Sequence, residues 1–193
     1  MRLILASSSK ARATILRRGG FDFEICPSHI DETPYPNETA RELVIRLAIA
    51  KAQAVSHLFP NALIIGSDQV AEYQKKIIGK PSGYEQGLEF LMSFRNQTVE
   101  FINGLCLLNT KNNTYETRLN IIQTIFRNYD QKTAENYLKI HQPYECAGSL
   151  KVEGPGIRLL SSIQNQDPNA LEGLCIIDLI TLLEHQGFEL SNF

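Results

Sequence analysis

Asp68 stands where a carboxylate is costly. It lies near the end of Asn61-Ala62-Leu63-Ile64-Ile65-Gly66-Ser67-Asp68-Gln69-Val70, a continuous apolar run of the kind found in strands buried on both faces. A carboxylate emerging there needs a metal, a lysine or a substrate to offset its desolvation. Lys51 poses the complementary problem. It falls inside the apolar stripe of the longest helical pattern, where an amine must be paired, reach a cleft, or snorkel to water along its own stem. The third feature is Ser7-Ser8-Ser9-Lys10-Ala11-Arg12, hydroxyls and cations at the start of a helical pattern. Ser9 can cap that helix, leaving Ser7, Lys10 and Arg12 near backbone N–H groups and the positive dipole end, a place that suits phosphate. An ordinary capped helix with solvated cations would read the same way. Asp31-Glu32 in a Pro-containing loop, Gly79-Lys80-Pro81, and Ser149 to Glu153 complete the set. Cations and hydroxyls for phosphates, with carboxylates for a divalent ion, are the ingredients of nucleotide hydrolysis. Residue type alone does not show that they meet.

The elements that must position these groups follow from period and punctuation. Leu3 to Ala6 is too short for anything but a strand, and the helical pattern after it stops at Gly19-Gly20. Phe21 to Cys26 alternates with the period of a half-buried strand, ended by Pro27. Thr39-Ala40-Arg41-Glu42 has capping-box form and opens a helix to about His57, with Val44, Leu47, Ala48, Val55 and Leu58 as its apolar stripe. A turn is expected from Tyr73 to Lys76 and a helix from Tyr84 to Arg95. Thr98 to Asn109 and Thr114 to Arg127 read as an antiparallel pair across Thr110-Lys111-Asn112-Asn113. Asp130 can cap a helix over Thr133 to Ile140, Asp167-Pro168 has N-cap and N1 chemistry, and Ile176 to His185 forms the last amphipathic helix.

Composition narrows the function classes. The 193 residues are 43% hydrophobic, enough for a full core, with no repeat or linker dividing the chain. With 19 Lys and Arg against 21 Asp and Glu the formal charge is -2, so neither nucleic acid nor an anionic membrane is expected as a partner. The opening apolar run is too short for a signal peptide and no segment reaches membrane-spanning length, which points to a cytoplasmic protein. Cys26, Cys106, Cys146 and Cys175 are scattered and read as buried free thiols, neither zinc ligands nor disulfides. No P-loop is present, and Gly154-Pro155-Gly156 fails the dinucleotide fingerprint because position 159 is Leu159. Ser7-Ser8-Ser9-Lys10 fits S-x-x-K without the accompanying elements of a penicillin-recognising hydrolase.

The order of these pieces resembles, from end to end, the Maf family of nucleoside triphosphate pyrophosphatases. The resemblance rests on Leu3 to Ser9 with Arg12, Asp31-Glu32, Lys51-Ala52, Ile65 to Val70, Gly79-Lys80-Pro81, Ala147-Gly148-Ser149 and Glu153-Gly154. Asp31-Glu32-Thr33-Pro34, Ser67-Asp68-Gln69-Val70 and Cys146-Ala147-Gly148-Ser149 look like the branch that prefers 7-methyl-GTP. The branch acting on dTTP and UTP usually has Ala-Asp-Thr at the central motif. The resemblance implies a single α/β domain over residues 1–193, an elongated mixed sheet with flanking helices in two lobes around a cleft. It also implies cleavage between the α and β phosphates with a divalent cation, Mg²⁺ or Mn²⁺, a small-molecule nucleotide substrate, and a homodimer.

Carried onto this chain, the resemblance makes Asp68 the proton acceptor for the attacking water and, with Glu32, a holder of the cation. Ser7, Ser9, Arg12, Lys51 and Lys80 bind the triphosphate, and Ala11, Gln69 and Glu153 occupy positions linked to base choice. The chain departs from the family pattern at the first motif. Lys10 replaces a proline, Ala11 an aromatic residue or arginine, and Ala13 a basic residue, while Arg12 is kept. Glu153 keeps a carboxylate for a cationic methylated guanine, whereas Ala11 offers no aromatic face, so a 7-methyl-GTP preference with weakened stacking is expected. The alternatives are a pyrophosphatase for dTTP, UTP or another non-canonical nucleotide, and a weakly catalytic nucleotide-binding relative linked to cell division.

Overall fold

The computed structural model describes residues 1–189. It is a mixed α/β fold with five α-helices among the described residues: α1 (Lys10–Arg18), α2 (Ala40–Ser56), α3 (Tyr84–Phe94), α4 (Gln131–His141) and α5 (Ile176–His185). The strands are β1 (Arg2–Leu5), β2 (Glu24–Ile25), β3 (Ala62–Tyr73), β4 (Lys76–Ile78), β5 (Thr98–Asn109), β6 (Thr114–Phe126) and β7 (Leu160–Gln164). They form one seven-stranded sheet in the order β2-β1-β3-β5-β6-β7, with β4 pairing on β3. The chain divides into two compact units. The first holds Met1–Asp68, Asn103–Asn120 and Asp167–Phe193, and the second holds Gln69–Ile102 and Ile121–Gln166.

In the first unit β1 pairs parallel with β2 and with β3, in the register Ile4↔Glu24 and Ile4↔Ile64. The strand period of two sends Leu3, Leu5, Leu63, Ile65, Leu105 and Leu107 to one face, where Ala13 and Leu16 of α1 and Leu179, Leu182 and Leu183 of α5 cover them. Ile4, Ile64, Cys106 and Leu108 face the other way onto Ala48, Ala52 and Val55 of α2. Two glycines on that face, Gly66 and Gly104, let α2 come unusually close. A Cβ at Gly66 would stand 1.9 Å from the Ala48 carbonyl oxygen, and one at Gly104 would stand 2.2 Å from that of Val44. Thr39 and Glu42 form the expected capping box at the start of α2.

In the second unit Gln74 and Lys75, both left-handed (φ 50° and 62°), turn β3 into antiparallel β4. Phe94 of α3 packs against Tyr73 and Phe126 with ring centroids 5.5 and 5.2 Å away. Asp130 caps α4 through Thr133 N, as its sequence indicates. β5 and β6 are neighbours joined by four residues, a link too short for a parallel crossover.

Three expectations about these elements differ from the structure, and one strand has no expectation behind it. Of Phe21 to Cys26 only Glu24 and Ile25 pair, because β1 presents just Ile4 and Leu5 to them, while Phe21 and Phe23 pack on the core outside any strand. Leu58 lies beyond α2 and is exposed, so it is no part of the stripe. Asp167 does not begin a helix at Pro168. Its Oδ2 accepts from Ile177 N at 2.8 Å and so caps α5 from ten positions away, where Cys175 at the cap position makes no side-chain bond. β7, paired antiparallel with β6, has no counterpart in the sequence reading, because a short strand between turns has too little pattern to register.

All four thiols are free, but only Cys106 and Cys175 are buried, Cys26 and Cys146 being half-buried. Burial pushes Cys106 and Cys175 up to about 12, and burial with Glu153 nearby pushes Cys146 up to about 11. Maleimide labelling of the native protein at pH 7.5, followed by mass spectrometry, is expected to modify Cys26 first and to leave Cys106 and Cys175 unmodified until unfolding. Among the described residues no helix is long and apolar enough to cross a membrane.

Candidate functional site

The first unit builds a polar centre where β1 passes into α1. Ser7 is buried, and its Oγ accepts from Ser9 N and from Arg12 Nη1, both at 3.2 Å. Ser9 Oγ accepts from Arg12 N and caps α1, so its acceptor is engaged by the helix start. Arg12 Nε donates to the Gly173 carbonyl at 2.9 Å. With Nε and one N–H of Nη1 engaged, Nη2 has no partner among the described residues, and the guanidinium fork is half prepared for an anion. Burial draws the Arg12 guanidinium below its ordinary value, while the charges of Asp68 and Glu32 pull it back up. Ala13 is buried in the core beside Leu16, so that position brings no group to the centre. Ala11 is half-buried, and Lys10 is exposed.

Lys51 and Asp68 meet at 2.6 Å, both buried. The contact answers both sequence puzzles at once, because each charge offsets the other's desolvation. Its cause is the close approach at Gly66. Gly66 and Asp68 lie on the same face of β3, and the turn of α2 seated on Gly66 contains Ala48 and Ala52, which flank Lys51. Glu32 Oε1 reaches the same ammonium at 2.8 Å from the loop after β2, its side chain half exposed. Asp68 Oδ1 is held by Lys51, and Oδ2 has no partner among the described residues, leaving one oxygen to accept a proton.

Sequence reading missed the acceptor that aligns the two halves of this centre. The Gly173 carbonyl takes Arg12 Nε at 2.9 Å and Ser67 Oγ at 3.3 Å, and Ser67 immediately precedes Asp68. Gly173 adopts φ 109°, a conformation that favours glycine, and that is the one local signal available.

Gln69, Lys80 and Glu153 belong to the second unit. Lys80 and Glu153 are exposed and, with Lys151, are close enough to Cys146 for their charges to act on its thiol. Gly148 N donates to the Gly79 carbonyl at 3.0 Å, which ties the turn Ala147–Ser149 to the residue before Lys80. Tyr137 Oη donates to the Ser149 carbonyl at 3.1 Å and accepts from Lys151 N at 2.9 Å, clipping the stretch before Glu153 to α4. Gly87 in α3 leaves room for the same turn, since a Cβ there would stand 2.8 Å from Ser149 Oγ. Gln69 is half-buried. Thus Ser7, Ser9, Arg12, Glu32, Lys51 and Asp68 come together in one unit, and Lys80 and Glu153 lie together in the other.

Comparison with known proteins finds relatives over nearly the whole chain. The model of the family described as Maf-like protein matches residues 2–186. A 7-methyl-GTP pyrophosphatase of Nitrosococcus oceani is 49% identical, with 96% of this chain and 94% of the relative covered. Relatives of the same name from Hydrogenovibrio crunogenus and Chromobacterium violaceum are each 43% identical over 98% of this chain, covering 94% and 98% of their own lengths. Among solved structures, the Staphylococcus aureus Ham1 protein superposes with a TM-score of 0.51 at 13% identity, covering 96% of this chain and all of that one, a likeness of fold. With the family pattern spanning nearly every residue and its acid, lysine and arginine converging in the first unit, the chain belongs to the Maf family.

Proposed function

We propose that this protein is a nucleoside triphosphate pyrophosphatase, a hydrolase that cleaves the α–β phosphoanhydride of 7-methyl-GTP to give the monophosphate and pyrophosphate. The observation that carries the reading is the buried Lys51–Asp68 pair beside the Arg12 and Ser7 anion cradle. The names borne by relatives up to 49% identical support the substrate class. Asp68 Oδ2 takes the proton of the attacking water as its oxygen bonds to the α-phosphorus. The bond to the bridging oxygen breaks, and its electron pair leaves on pyrophosphate. Arg12 Nη2 and the first N–H groups of α1 offset that charge.

At rest the two cations Arg12 and Lys51 balance the two carboxylates Glu32 and Asp68. A triphosphate therefore brings negative charge that this balance does not neutralise, which is the electrostatic case for a divalent cation. No group of three or more His, Cys, Asp or Glu converges among the described residues, so an all-protein cage is not the fit. Two carboxylates, with phosphates supplying the remaining ligands, match what Mg²⁺ or Mn²⁺ takes in nucleotide enzymes. Glu32 and Asp68 would hold the ion, which when bound supplies Lewis-acid stabilisation of phosphate charge. Lys80 is proposed to bind the triphosphate, and Glu153, Gln69 and Ala11 to govern base choice. Glu153 gives the negative charge a cationic base requires, and Ala11 leaves stacking weak.

Steady-state kcat/KM for 7-methyl-GTP, GTP, dTTP and UTP with Mg²⁺ and with Mn²⁺ tests the reading. The expected order places 7-methyl-GTP first. A higher value for dTTP or UTP overturns the base assignment, and no pyrophosphate release from any nucleotide overturns the activity.

A further inference from the structure

We propose that Asn103 is a positioning residue for Arg12, acting through the carbonyls of Ala170 and Gly173. Asn103 sits on β5, facing the α1 and α5 side, and is buried. Its Nδ2 donates to the Ala170 carbonyl at 2.7 Å and lies 3.3 Å from Cys175 Sγ. The reverse amide orientation would set two acceptor oxygens 2.7 Å apart, so the donor assignment follows from the distance. The same Ala170 carbonyl accepts from Gly173 N at 3.0 Å. That second bond fixes the nitrogen of Gly173, the residue whose carbonyl, in the next peptide, holds Arg12 Nε and Ser67 Oγ.

The turn is anchored from other sides as well. Glu172 pairs with Arg18 of α1 at 2.9 and 3.2 Å, and Asp167 Oδ1 accepts from Asn169 N at 2.8 Å. These contacts hold the turn on the unit, whereas the Asn103 bond sets the height of the Ala170 carbonyl and hence the aim of Gly173. The oxygen of the Asn103 amide is buried without a partner among the described residues. A buried unsatisfied acceptor is destabilising, and its retention in the core argues that the donor on the other side of the amide has a task beyond stability.

This inference rests on the reading of the Arg12 cradle as a polyphosphate site, and its test separates the two. The variants are Asn103→Leu, Asn103→Ala in case leucine overpacks, Arg12→Met, and Asn103→Leu with Arg12→Met. Each is measured for binding of inorganic tripolyphosphate by calorimetry with Mg²⁺ present, for kcat/KM, and for melting temperature. A misaimed anchor is expected to weaken tripolyphosphate binding by about tenfold and kcat/KM by about ten- to hundredfold. Melting is expected to change little, because the unsatisfied oxygen leaves with the amide. In the Arg12→Met background the same substitution is expected to cost less than about twofold, since coupled residues do not add. Unchanged binding in both Asn103 variants, an equal loss in both Arg12 backgrounds, or no tripolyphosphate binding by the wild type overturns the proposal. Binding that depends jointly on Asn103 and Arg12 in a protein that hydrolyses no nucleotide sustains this inference and overturns the proposed activity alone.

Discussion

Replacing Asp68 with asparagine is expected to lower kcat for triphosphate hydrolysis by about 10² to 10⁴-fold, the usual worth of a positioned general base. The substitution is nearly isosteric, and its amide oxygen can still accept from Lys51 Nζ, which stands 2.6 Å from Oδ1 in the wild type. What it removes is the ability of the second oxygen to take a proton at neutral pH. Lys51 keeps Glu32 as a charged partner at 2.8 Å, so the ammonium is not left alone in the core. Losing a charge-assisted bond at a buried pair costs about 1–3 kcal/mol, and the loss of turnover must therefore be read beside a melting curve. A folded Asp68→Asn protein that releases pyrophosphate at the wild-type rate would remove Asp68 from the chemistry.

The largest stability loss is expected at Gly66→Ala. The added methyl would meet the Ala48 carbonyl oxygen at 1.9 Å and the Ala52 nitrogen at 3.0 Å. Both are backbone atoms of α2 and cannot rotate away as a side chain would. The helix must move, and with it the Ala48, Ala52 and Val55 face packed on Ile4 and Ile64. Overpacking of this kind is expected to cost more than about 3 kcal/mol, the upper end for an inserted methylene, because the clash is with backbone. For a domain of this size each kcal/mol lowers the melting temperature by about 2–4 °C, giving a fall of about 6–12 °C. Gly104→Ala strikes the same helix one turn earlier, at the Val44 carbonyl. The two losses are expected to be less than additive, since one displacement of α2 relieves both. A Gly66→Ala protein melting within about 2 °C of the wild type would show that α2 yields cheaply. Where Gly66→Ala remains folded, the displaced helix carries Lys51 away from Asp68, so activity should fall further than stability requires.

These two residues lie two positions apart on one face of β3 and illustrate how chemistry and packing share a cause here. The close approach that forbids a side chain at Gly66 is what delivers Lys51 to Asp68. Neither glycine nor lysine explains itself in isolation.

Much of this was legible in the amino-acid order, and the legible part is local. The strand period of β1 and β3, the capping box of α2, the Ser9 and Asp130 caps and the turn at Gln74–Lys75 all depend on neighbours within a few positions. The types of Asp68, Lys51 and Arg12 declared that something must pair with each, and resemblance to a family supplied their roles. The tertiary structure decided which partner each one has. Lys51 finds Asp68 across 17 positions, Asn103 finds Ala170 across 67, Ser67 finds Gly173 across 106, and Arg12 reaches Gly173 across 161. Asp167 starts no helix at Pro168 for the same reason, since its acceptor serves a helix start ten residues on. Caps and periodicity arise from backbone geometry over one or two turns, whereas these pairings require a strand order and a helix height above the sheet. Both are set by core packing contributed from the whole chain.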